Sequence, residues 1–170
     1  MIKSLSILLL LLSGISTVQA ETPNLLNPDH SAWRFYTDGK STWYYSEYTD
    51  YVDIQRVGNN TQLYQSGIKL EPNTTYRLHI SAINAFVDRY EQMSVMVLQH
   101  KAPYTVYFKA IVPMPPTYTD SPDYKGIPEF EYTFTTPSKV DGDTRFMYYF
   151  NYAKVGDNYN LGINPTLAKV

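Results

Sequence analysis

The sequence predicts an all-β domain, a sandwich or a barrel. Stretches such as Tyr51–Val57 and Thr75–Ala82 alternate apolar and polar residues with period 2, as a strand with one buried face does. Turn-forming breaks such as Gly58-Asn59-Asn60 and Asp141-Gly142-Asp143 recur at the short spacing of such folds. No amphipathic helix is evident after the N-terminal segment. Composition agrees: 17 tyrosines, 7 phenylalanines and 2 tryptophans occur in 170 residues, and tyrosine is a strand former with a polar tip. These rings read first as core and sheet edge, and second as a stacking surface for flat ligands.

Residues 1–20 have the layout of a secretory signal peptide. Lys3 gives a basic start, Ile7–Leu12 an apolar run, and Val18-Gln19-Ala20 a small-residue cleavage site, with cleavage expected after Ala20. The run is short for a membrane span and Ser13, Gly14, Ser16 and Thr17 follow it closely. The expected location is therefore secreted or periplasmic, with no membrane span. Residues 21–170, about 150 in number, suit one domain with its own core. The absence of cysteine excludes disulfides and thiolate metal sites. Net charge is −2 and no Lys/Arg cluster occurs, which excludes a nucleic-acid footprint.

In chain order, Asn24–Asp29 opens the domain with an apolar pair and a turn. Trp33–Tyr36 and Trp43–Tyr48 flank a turn at Thr37-Asp38-Gly39-Lys40. Tyr51–Val57 is a strand. Gln62–Gly67 and Thr75–Ala82 read as strand, tight turn, strand, a hairpin about Glu71-Pro72-Asn73-Thr74, in which proline pre-sets φ and Asn and Thr bond the local backbone. Gln92–Gln99 and Tyr104–Val112 are strands separated by Pro103. Pro113–Gly126, with four prolines, is expected to be a surface loop. Glu129–Thr135 and Thr144–Tyr152 alternate again, and Tyr159–Leu167 closes the domain.

Several of these motifs resemble, in the same order, those of CenC-type carbohydrate-binding modules, families 4 and 9 and their relatives. They are Asn24-Leu25-Leu26-x-Pro28-Asp29, Trp33, Tyr36-Thr37-Asp38-Gly39, the whole of Gln62–Ala82, Ala102-Pro103-Tyr104-Thr105, Tyr132-Thr133-Phe134-Thr135 and Asp143-Thr144-Arg145-Phe146. The resemblance implies a β-sandwich jelly roll of two antiparallel sheets, galactose-binding-domain-like. It also implies a concave groove that takes a polysaccharide or cell-wall glycan chain, and no enzymatic activity. Matched by position, Gln62 is a polar groove residue, Tyr104 lies near a groove aromatic, and Arg145 is an inward-pointing arginine. Alternation adds Tyr64 beside Gln62, and Met147 and Tyr149 beside Arg145, and sets Tyr107 on the face opposite Tyr104. His79, pointing with Arg77 and Ser81, is a further candidate contact. Flat rings suit the CH-rich faces of pyranoses, while Gln and Arg can bond equatorial hydroxyls.

Two departures from the family pattern stand out. Where many relatives carry a tryptophan three residues before Gln62, this chain has Asn59. A lost stacking platform costs ~1–3 kcal/mol, by analogy with base–aromatic stacking. Many relatives hold a structural calcium through an early acidic residue and a closing aspartate. Here the closing segment is Gly162-Ile163-Asn164-Pro165-Thr166-Leu167 and Asp29 is the only early carboxylate in reach, whereas hard cations take several oxygen ligands. Structural calcium is disfavoured and no cofactor is expected.

Competing readings are an interaction sandwich that binds an envelope or host protein, and a small polysaccharide lyase. The lyase reading rests on Tyr107-Phe108-Lys109-Ala110, similar to a short motif of jelly-roll alginate lyases. Glu129 and Glu131, at i and i+2 and roughly 7 Å apart by strand rise, have an inverting-glycosidase spacing but read more simply as a solvated sheet face. His30, His79 and His100 show no metal-ligand spacing.

Overall fold

A computed structural model describes residues 22–46, 51–55, 60–85, 91–114, 116–117, 128–151, 158–162 and 164–170. The signal-peptide residues and Asn59 lie outside these. Among the described residues the strands are β1 (Arg34–Thr37), β2 (Thr42–Ser46), β3 (Tyr51–Gln55), β4 (Thr61–Ile68), β5 (Thr75–Ala85), β6 (Glu91–Gln99), β7 (Val106–Met114), β8 (Pro116–Thr117), β9 (Glu129–Thr135), β10 (Thr144–Tyr149), β11 (Asn158–Gly162) and β12 (Thr166–Lys169). A five-stranded sheet runs β1-β4-β10-β6-β7, and a seven-stranded sheet runs β12-β5-β11-β3-β2 with β8 and β9 also on β5. Pairing is antiparallel except for β5 with β8. The fold is the expected all-β sandwich of two sheets. No helix among the described residues is long and apolar enough to cross a membrane.

Alternation builds the core. On β5, Tyr76, Leu78, Ile80 and Ala82 are buried, and on β4 Thr61, Leu63 and Gln65 are. Val52 and Ile54 from β3, Met93, Val95 and Val97 from β6, and Phe146 and Tyr148 from β10 join them. Trp33 stacks on Tyr148 with ring centres 5.8 Å apart and meets Phe146 edge-on at 6.0 Å. It follows a 3-10 turn at His30–Ala32, which Asp29 caps by accepting the Ser31 N–H at 2.8 Å, so the strand begins one residue later than expected.

The largest correction concerns the central stretch. Gln62–Ala82 is not a hairpin, because β4 and β5 lie in different sheets. The Glu71–Thr74 turn, with Asn73 at φ 50°, carries the chain across the sandwich. Leu63 and Leu78 therefore face each other through one core, and the polar faces of the two strands point in opposite directions. Alternation cannot distinguish the two arrangements, since each buries the same residues. A smaller correction is that β7 includes Pro113 and Met114 and that β8 follows, so the proline-rich stretch is strand at its start. Its remainder from residue 118 lies outside the described residues, as do Glu47, Tyr48, Arg56, Val57 and Tyr152 at the ends of three expected strands.

One local feature shapes the face that matters below. The register between β4 and β10 shifts between Thr144 and Phe146, so Ser66 and Gly67 together oppose Arg145. Gly67 has φ 80°, and such a bulge re-aims the neighbouring side chains. At the N-terminus the Asn24 amide joins both chain ends. Its oxygen accepts from Leu26 N at 3.0 Å and Leu167 N at 2.9 Å, and its nitrogen donates to Pro165 O at 3.1 Å.

Candidate functional site

Gln62 and Tyr64 alternate with buried neighbours on β4, and Arg145, Met147 and Tyr149 do so on β10, so these side chains leave the five-stranded sheet on its outer face. Register places them side by side. Met147 is opposite Tyr64 and Tyr149 opposite Gln62. On the next strands Tyr36 is opposite Gln62, and Leu98 is opposite Arg145. The connection from β6 to β7 then brings Tyr104 over this face. It contains a cis Ala102-Pro103 bond, and Tyr104 itself sits at φ 59°, a left-handed conformation uncommon for a bulky residue. Tyr104 N donates to Lys101 O and Gln99 N to Thr105 O, each at 2.9 Å, closing the turn.

The result is a hollow of about 450 Å³ lined by Tyr36, Asn60, Gln62, Tyr64, Leu98, Tyr104, Arg145 and Met147. Leu98 and Met147 form an apolar floor, with Met96 beside them and the half-buried Tyr64 and Tyr149 packed against it. Tyr36 and Tyr104 stand 49% and 53% exposed. Between floor and rings runs a hydrogen-bonded chain: Gln62 Nε2 donates to Asn60 Oδ1 at 2.6 Å, and Arg145 Nη1 donates to Gln62 Oε1 at 3.3 Å. Arg145 Nη2 donates to His100 O at 3.3 Å. The guanidinium carbon lies 4.8 Å from the Tyr64 ring centre and 5.9 Å from that of Tyr104, within cation–π range. Asn60 is in turn latched to the turn after β1, since its N–H donates to Asp38 Oδ1 at 2.9 Å. Among the described residues Arg145 is the one charged residue in this lining.

Four of the six residues singled out in the sequence thus converge: Gln62, Tyr64, Tyr104 and Arg145. Tyr149 shares their face and packs on the floor beside the hollow. His79 does not join them. It lies on the outer face of the opposite sheet, where it lines a separate hollow of about 550 Å³ with Arg77, Glu131 and Lys169, and its Nε2 is 3.4 Å from Glu129 Oε2. The cause is the sheet crossing: β4 and β5 present their polar faces to opposite sides. Glu129 and Glu131 are on that far face too, paired in register with Ser81 and His79. Tyr107 packs toward the core, its hydroxyl accepting from Asp141 N at 2.9 Å, and Phe108 stacks on Phe134 at 4.8 Å, so the lyase-like stretch is largely engaged in packing.

Sequence reasoning missed Tyr36, Asn60 and Leu98. Tyr36 stood in a recognised motif, but only the pairing of β1 with β4 reveals that it neighbours Gln62. Among the described residues no group of three or more His, Asp or Glu converges as a metal site.

No protein-family model matches the sequence, and no curated protein matches it. Solved structures do. A CBM4 module superposes with a TM-score of 0.64 at 19% identity, over 85% of this chain and 89% of that one. The N-terminal cellulose-binding domain of β-1,4-glucanase C from Cellulomonas fimi superposes with 0.56 at 16% identity, over 84% and 91%. A CBM61 module in complex with β-1,4-galactotriose gives 0.53 at 12% identity, over 88% and 100%. The chain has the β-sandwich fold of carbohydrate-binding modules of the family 4 type.

Proposed function

We propose that this chain is a secreted, non-catalytic carbohydrate-binding protein that holds a polysaccharide or oligosaccharide chain in the groove of its five-stranded sheet. The observation that carries this reading is the convergence of two exposed tyrosine rings, an apolar floor and a row of amide and guanidinium groups in one hollow. Sugar rings present both CH faces and hydroxyls, and this lining offers a partner for each. Tyr36 and Tyr104 are the stacking rings, and Asn60, Gln62 and Arg145 are the hydrogen-bonding groups. Among the described residues the lining consists of aromatic, apolar, amide and guanidinium groups, a set suited to holding a sugar chain. The fold shared with carbohydrate-binding modules supports the same reading.

Affinity electrophoresis against β-glucans, xylans, mannans and polyuronates tests it. Retention by at least one polymer, lost in a Tyr36→Ala, Tyr104→Ala double variant, is expected. Retention by none ends the reading. Trp33 and Trp43 both pack against the core, so binding is expected to alter tyrosine rather than tryptophan emission.

The second reading, a protein-interaction sandwich, draws on the mutual bonding of Asn60, Gln62 and Arg145, which already occupies part of the groove's polar capacity. An inert glycan panel, together with a purified envelope protein whose binding is lost on Tyr36→Ala, would select it.

A further inference from the structure

We infer that the groove is built for an acidic saccharide, a chain bearing uronic-acid carboxylates, and that Arg145 is the residue that binds the carboxylate. This rests on the saccharide-binding reading above and narrows it.

Charge is the first argument. Among the described residues Arg145 is the only charged side chain lining the hollow, and it has no carboxylate partner. Its cationic head is half-buried above Leu98 and Met147 and flanked by two tyrosine rings. An apolar floor of that kind lowers the local dielectric and strengthens attraction for an incoming anion. The hollow on the opposite sheet differs, because it includes its own carboxylate, Glu131.

Donor counting is the second. A guanidinium has five N–H groups. One on Nη1 goes to Gln62 Oε1 and one on Nη2 to His100 O, while Nε is buried without a partner. One N–H then remains on each terminal nitrogen, which is the number a bidentate carboxylate contact uses.

Acceptor counting is the third. The side-chain carbonyl oxygens of the groove, Gln62 Oε1 and Asn60 Oδ1, each already accept a bond from within it. Each keeps one lone pair, and the hydroxyls of Tyr36, Tyr64 and Tyr104 can both donate and accept, whereas five N–H groups can only donate: two on Arg145, the second of the Gln62 amide and the two of Asn60. A hydroxyl brings a donor that wants an acceptor; a carboxylate brings acceptors alone. The surplus of donors matches the carboxylate.

Rigidity is the fourth. Gln62 and His100 hold the guanidinium from two sides and Tyr64 lies under it, so little side-chain freedom is lost when the ligand arrives.

The test compares the whole chain on polygalacturonate and alginate, on neutral β-glucan, xylan and galactan, and on a sulfated galactan. Polyuronate retention is expected to be strongest and to fall several-fold between about 20 mM and about 300 mM salt. Arg145→Lys, which keeps the charge but loses the fork, is expected to weaken it by about tenfold or more. Reducing the polymer's carboxyls to primary alcohols is expected to abolish binding by the unaltered protein, an outcome independent of how the variant folds. Preference for a neutral polymer with salt-insensitive affinity overturns this inference while leaving the saccharide reading standing. Stronger retention by the sulfated chain, or full retention of the carboxyl-reduced polymer, also overturns it. Retention by no polymer ends both.

Discussion

The Arg145 guanidinium carbon lies 4.8 Å from the centre of the Tyr64 ring, so one residue expected to stack on sugar is instead the seat of another. That contact assigns Tyr64 to positioning and leaves Tyr36 and Tyr104 as the open rings. Tyr64→Phe keeps the ring and is expected to bind within about twofold of the parent, whereas Tyr64→Leu removes a cation–π contact of roughly 0.5–2 kcal/mol and should weaken binding about 2- to 30-fold. Titration of both variants decides it. Equal losses would place the hydroxyl, not the ring, in the role.

Tyr104 occupies a left-handed backbone conformation that costs an L-residue roughly 1–2 kcal/mol. Tyr104→Gly relieves the strain and adds chain entropy to the unfolded state. The expected net is a gain of about 0.5–1 kcal/mol in unfolding free energy, accompanied by weaker ligand binding. Opposite signs for stability and affinity are the signature of strain kept for a site. A variant that loses stability as well would show that the ring holds the turn together.

The sandwich was legible because its signals are local. Alternation in Tyr76–Ala82 and Thr144–Tyr149 marks which side chains go inward whatever the partner strand is. Gln62, Tyr64 and Arg145 were reachable from motif order with the same alternation. His79 and Tyr36 were not, and for one reason. Which sheet a strand joins, and what lies beside it, is set by long-range pairing such as β1 with β4, and no local pattern encodes it. The same gap made Gln62–Ala82 look like a hairpin.

Asn24 ties the N-terminal segment to Pro165 and to Leu167 of β12 through two hydrogen bonds, and a third, from Leu26 N, braces its own segment; two of the three come from backbone N–H groups. Asn24→Ala strands those part-buried groups and is expected to cost about 2–3 kcal/mol in a denaturant titration. Because an amide makes this junction, a chelator is expected to leave the Tm of the parent unchanged. A fall in Tm with chelator would reveal a cation joining the same two segments.

Burial raises the Asp53 carboxyl above its ordinary range on the outer face of β3. A raised folded-state value means that the native protein holds this proton to higher pH than the unfolded chain. Stability from this group is therefore gained as pH falls through that value, and above it the ionised form is a cost. Asp53→Asn is expected to raise Tm at about pH 7 and to make little difference near about pH 3, where both states are protonated. An equal shift at the two pH values would mean that the charge is not the cause.

In the proposed function, the groove with Tyr36 on its wall takes a sugar ring. The measurement that tests it most directly is titration of Tyr36→Ala and the parent with the best-retained glycan. Tyr36 is 49% exposed on an edge strand, so its removal should leave Tm unchanged. Loss of the ring is expected to cost about 1–3 kcal/mol in binding, roughly 5- to 150-fold in Kd. An unchanged Kd in a fully folded variant would contradict it.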